Sequence, residues 1–114
     1  MKKYIRAPSP SPEFNPRCLV DAAVLIDRAR QEGEKGFLEQ AVDHNRQLWA
    51  HIHSLSALPN NPFPKESHSE LNRLSDYVWA ATKSKGSDIS DMVLDTLINI
   101  DLQVSEGLLY KNRH

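Results

Sequence analysis

From residue 16 to residue 109 the apolar side chains recur at steps of three, four and seven, and no stretch alternates apolar with polar. That spacing gathers them on one face of an α-helix and would scatter them over both faces of a strand. The fold class expected is all-α, a small bundle of about four helices.

The first helix is expected from Asn15-Pro16, since Asn is a good N-cap and Pro suits the first helical position. It carries Leu19, Val20, Ala23, Val24 and Ile26 and stops near Gln31, before the turn-like residues Glu32, Gly33, Glu34 and Gly36. The second runs from about Phe37 to Leu55, with Ala41, Val42, Leu48, Trp49 and Ile52 in its stripe. Asn45 interrupts that stripe at a core-facing position, so it needs a hydrogen-bond partner if buried. Pro59, Pro62 and Pro64 then forbid helix and leave Phe63 as an apolar plug on a stiffened loop. A third helix follows Pro64, with Ser67 and Glu70 as a capping box and Leu71, Leu74, Val78 and Trp79 as its stripe. It is expected to end around residues 83–86, where Lys83 and Lys85 suit the helix dipole. The fourth is expected from Asp88 to Glu106, with Ser87 and Asp88 at its start and Gly107 as a left-handed C-cap. Residues 1–15, with Pro8, Pro10 and Pro12, read as a disordered tail, 16–109 as one domain, and 110–114 as a C-terminal tail.

A chain of 114 residues holds one modest core. Charge is unevenly placed. Lys2, Lys3, Arg6 and Arg17 oppose Glu13 near the start, whereas residues 18–109 carry eight basic and fourteen acidic groups, a net −6. Neutralising phosphates supplies most nucleic-acid affinity, so an acidic body argues against extensive RNA or DNA contact. The lone Cys18 forms no internal disulfide and suits a reducing cytoplasm, where it is expected half-buried. No apolar run matches a secretory signal or the roughly 18 residues of a membrane span. A cytoplasmic protein without membrane contact is the expectation.

Little in the sequence points to catalysis. His44 and His51 share a helical face but lie about 10 Å apart along it, and His53, His68 and His114 are scattered. Asp88, Asp91 and Asp95 recur on one face, as the helix dipole alone favours near an N-terminus. No phosphate-binding glycine loop and no nucleophile–base motif occurs. The chain is expected not to be an enzyme and to use no metal or cofactor. Trp49 and Trp79 are expected mainly in the core, packed together, although Trp is also the residue most enriched in binding hot spots.

Three spaced segments are more than generic: His44-Asn45-Arg46-Gln47-Leu48-Trp49, Asn61-Pro62-Phe63-Pro64, and Leu97-Ile98-Asn99-Ile100 followed by Glu106-Gly107-Leu108. Together they resemble the FlaF family of flagellar biosynthesis regulators, over roughly residues 15–109. That family shows an Asn-Arg-x-Leu-Trp segment, an Asn-Pro-Leu-Pro-like turn, and a closing Leu-Ile-x-Ile-Asn-Arg … Gly-Leu segment. Phe63 replaces the family's Leu, and Asp101 stands where its Asn-Arg pair begins, removing an amide and reversing a charge. The resemblance marks Asn45, Arg46, Leu48, Trp49, Asn61, Pro62, Pro64, Leu97, Ile98, Ile100 and Gly107 as family-motif or partner-binding residues.

The resemblance implies a flagellin-binding, chaperone-like protein that supports flagellin synthesis and export in bacteria, alongside an FlbT-like regulator. A groove between the second and fourth helices is the expected place for a flagellin helix. The alternatives are a post-transcriptional regulator touching flagellin mRNA through its basic tail, or a helical structural or interaction protein with no flagellar role. A gel shift on flagellin leader RNA, with and without residues 1–15, separates the first alternative.

Overall fold

The computed structural model describes residues 12–84 and 86–111. The expectations for the tail before residue 12, for Lys85 and for residues 112–114 lie outside the described residues. The described residues form four helices, α1 (Arg17–Glu32), α2 (Lys35–Ser56), α3 (His68–Ala81) and α4 (Asp91–Lys111), with short 3-10 turns at Lys65–Ser67 and Gly86–Asp88. Among the described residues there is no strand.

Helix α1 is the spine. It packs along both α2 and α4, while α3 lies on α2 and touches α4 only briefly. Leu19, Ala22, Ala23, Ile26 and Ala29 of α1 are all buried, and the three alanines let neighbouring helices approach closely. Asn15 caps α1 by accepting the Arg17 N–H through Oδ1 at 3.0 Å. At the other end Gly33 has φ 73°, and its N–H reaches the Ala29 carbonyl at 3.2 Å. This left-handed cap favours glycine and reverses the chain within two residues, so α2 begins at Lys35 rather than at the expected Phe37.

The core joins Leu19 and Ile26 of α1, Trp49 and Ile52 of α2, Val78 of α3, and Leu94 and Leu97 of α4. Each large apolar side chain removed from water in this way stabilises the fold by about 1.5–3 kcal/mol. Phe63 is buried as the sequence pattern suggested, and its loop is tied internally. Asn61 Oδ1 accepts the Phe63 N–H at 3.0 Å, Asn61 Nδ2 donates to the Leu58 carbonyl at 3.2 Å, and His68 Nε2 donates to the Phe63 carbonyl at 3.0 Å.

Several expectations change. Phe14 is not part of a free tail: its ring meets Phe63 edge-on, with centroids 5.4 Å apart. Pro16 is buried beside it, and its carbonyl accepts from Ser105 Oγ of α4 at 2.9 Å. Cys18 is exposed, because Leu19 and Ala22 take the core-facing positions. Ser67 closes the 3-10 turn and makes no side-chain capping bond, so no capping box forms with Glu70. Helix α4 starts at Asp91, not Asp88, because the preceding turn must first pass tightly over α2; Ser90 Oγ then caps it by accepting the Val93 N–H at 3.3 Å. Gly107 does not end α4. The helix continues to Lys111, since burying Leu108 outweighs the roughly 1 kcal/mol cost of an interior glycine. Residues 110 and 111 are therefore helical rather than tail.

Candidate functional site

Two of the three singled-out segments converge on one carboxylate. Asn45 and Trp49 lie one turn apart on α2 and so share a face. Asp101 comes from α4, directly after Ile100. Trp49 Nε1 donates to Asp101 Oδ1 at 2.8 Å. The Asn45 amide, with its nitrogen toward the carboxylate, donates to Asp101 Oδ2 at 2.5 Å and Oδ1 at 3.2 Å. Asn45 and Asp101 are 0% exposed and Trp49 is 1% exposed. Burial pushes the Asp101 carboxyl up to about 7, while the indole N–H pulls it the other way by bonding the charged form. The buried carboxylate thus sits in a satisfied polar knot that holds α2 against α4.

The knot bridges α2 and α4, the two helices between which a groove was expected. Two open grooves flank α3. One, of about 330 Å³, runs between α2 and α3 and is lined by Arg46, Trp49, Ala50, His53, Ser54, Ser75, Asp76, Val78 and Trp79. The other, of about 300 Å³, lies between α3 and α4 and includes Leu71, Leu74, Ile100, Val104, Gly107 and Leu108. Asp101 lines neither.

Trp79 departs from its expected core position. It is 51% exposed, since α3 turns Leu71, Ser75 and Val78 inward and the next residue after Val78 points about 100° away. The Arg46 guanidinium covers its ring, with the central carbon 3.5 Å from the centroid. Such stacking contributes about 0.5–1 kcal/mol at an exposed site. Arg46 Nε is buried without a hydrogen-bond partner.

The remaining motif residues separate by role. Leu97 is in the core, and Leu48, Ile98 and Ile100 are half-buried against it. Asn61, Pro62 and Pro64 are half-buried and hold the Phe63 loop. Gly107 borders the α3–α4 groove. No group of three or more His, Cys, Asp or Glu that fits a metal ion occurs among the described residues. Among those residues no helix is long and apolar enough to cross a membrane. In the sequence Asp101 stands out only as a departure from the family motif, and an acid at a stripe position of α4 is the signal that it needs buried partners.

These features define an all-α protein with open grooves on both sides of α3. The chain belongs to the FlaF family: the sequence profile of flagellar protein FlaF matches residues 5–108. Comparison with curated proteins and with solved structures gives no match.

Proposed function

We propose that this flagellar protein binds flagellin in the cytoplasm, in a chaperone-like manner, and through that complex supports flagellin synthesis and export. The observation that carries the reading is the position of α3, which is packed on α2 but barely touches α4 and so leaves a groove on each side. Grooves between helices receive amphipathic helices through apolar anchors. On this reading the chain performs no catalysis and needs no cofactor. An FlbT-like regulator is a second partner, acting on the same complex. Direct mRNA contact has only the basic residues Lys2, Lys3 and Arg6 in its favour.

Calorimetry of the full chain with purified flagellin tests this. A saturable complex with a Kd below roughly 50 µM is expected. Absence of heat and of co-elution at that concentration, with a folded protein, overturns the proposal.

A further inference from the structure

Arg46 is placed unlike the other arginines whose partners are defined. Arg30 meets Asp95 at 2.6 Å and Asp27 at 3.3 Å, and Arg73 lies 3.7 Å from Glu70. Arg46 makes no ion pair or hydrogen bond among the described residues, although residues 18–109 carry a net −6. The nearest acid in sequence on its face, Asp43, accepts instead from Gln47 Nε2 at 2.7 Å. The guanidinium is nevertheless held in place, because it sits over the Trp79 ring, which also lines the α2–α3 groove. An unpaired guanidinium over an exposed indole, in a groove lined by Ala50 and Val78 as well as His53, Ser54, Ser75 and Asp76, is a receptor for a carboxylate carried next to apolar side chains.

The occupant's backbone is also constrained. With no strand among the described residues, an extended segment has no edge to pair with and would bring bare N–H and C=O groups against Val78 and Ala50. A helix satisfies its own backbone. A groove of about 330 Å³ is enough for a few side chains of one helical face.

We infer that the α2–α3 groove docks an amphipathic helix of the partner, whose apolar stripe packs on Trp79 and the groove wall and whose bordering Asp or Glu pairs with Arg46. This inference rests on the protein-binding reading above and assigns it a place and a recognition chemistry. The Arg46 guanidinium thus offers the partner's carboxylate a cation within a body that is net acidic.

The experiment uses the full chain and two probes. The first is a pair of synthetic helical peptides with Leu at steps of three and four, one bearing Asp beside the stripe and the other Asn. The Asp peptide is expected to bind at least tenfold more tightly, to change the Trp79 emission, and to weaken with added salt. Arg46→Gln is expected to abolish the preference and Trp79→Ala to weaken both peptides, with Leu102→Ser on the outer face of α4 as the unaffected control. Equal binding of the two peptides, or binding of neither, overturns the inference. The second probe is flagellin. If it binds wild type and Arg46→Gln equally, the groove is not its docking place and flagellin binding itself stands. If it fails to bind while the Asp peptide is selected, the flagellin reading fails and the groove stands.

Discussion

Replacing Asp101 by Asn tests the energetic reading of the buried knot. The carboxyl is raised from its ordinary 3.8 to about 7 by burial. At 1.36 kcal/mol per pH unit, keeping it ionised in the fold costs at most about 4 kcal/mol relative to the unfolded chain, and the Asn45 bonds to the carboxylate reduce that cost. The sign follows from proton uptake. The folded state binds the proton more tightly, so the contribution is intact below pH 4, declines as pH rises toward 7, and is flat above. Asn has the same shape and keeps both bonds: its oxygen accepts from Trp49 Nε1, and its amide nitrogen donates to an Asn45 turned to present its oxygen. Asp101→Asn should therefore gain stability over wild type progressively between pH 4 and 7, by up to about 4 kcal/mol at pH 8. Urea unfolding of both proteins at pH 4.5, 6 and 8 measures this. A variant less stable than wild type at pH 8, or a difference that does not change with pH, refutes the account and makes the ionised carboxylate a net stabiliser.

Asn45→Ala removes a buried donor and leaves Asp101 with the indole alone, so a loss of about 1–3 kcal/mol is expected by the same unfolding assay. Gly86→Ala places a Cβ 2.9 Å from Glu39 Cα and 3.1 Å from the Leu38 carbonyl; because backbone yields poorly, thermal melts should show a loss of about 1–3 kcal/mol. Gly107→Ala should do the reverse. Its added Cβ meets nothing within 4 Å inside a continuous helix, so denaturant unfolding should show a gain of about 0.5–1 kcal/mol.

The sequence was informative where a residue's role depends on its neighbours along the chain. Stripe spacing located all four helices, and three prolines located the Phe63 loop. Gly33 was placed in the first turn for the same reason. It was less informative where a role depends on contacts between distant segments. Gly107 followed by Leu108 has the form of a C-cap, and only the burial of Leu108 against other helices shows that α4 runs on. Trp79 has the right type for a core stripe, but Val78 already fills that position against α2. Asp101 looked like a lost family feature because its two donors come from α2, more than fifty residues earlier. Asn45 was the partial exception: a polar residue in an apolar stripe announced that a partner had to exist, without naming it.

The contact between Phe14 and Phe63 bears on how the RNA alternative can be examined. The pattern of prolines suggests cutting the chain after residue 15, which removes the basic residues Lys2, Lys3 and Arg6 together with Phe14. Such a deletion strips one ring from the Phe63 loop and also takes away Asn15, the cap of α1. Any lost activity would then have two causes, a missing cation cluster and a loosened end of the bundle. A deletion of residues 1–11 removes the same three basic side chains and keeps the ring pair, the cap and the Ser105–Pro16 bond. The aromatic clasp thus moves the boundary of a clean truncation four residues upstream, from after residue 15 to after residue 11.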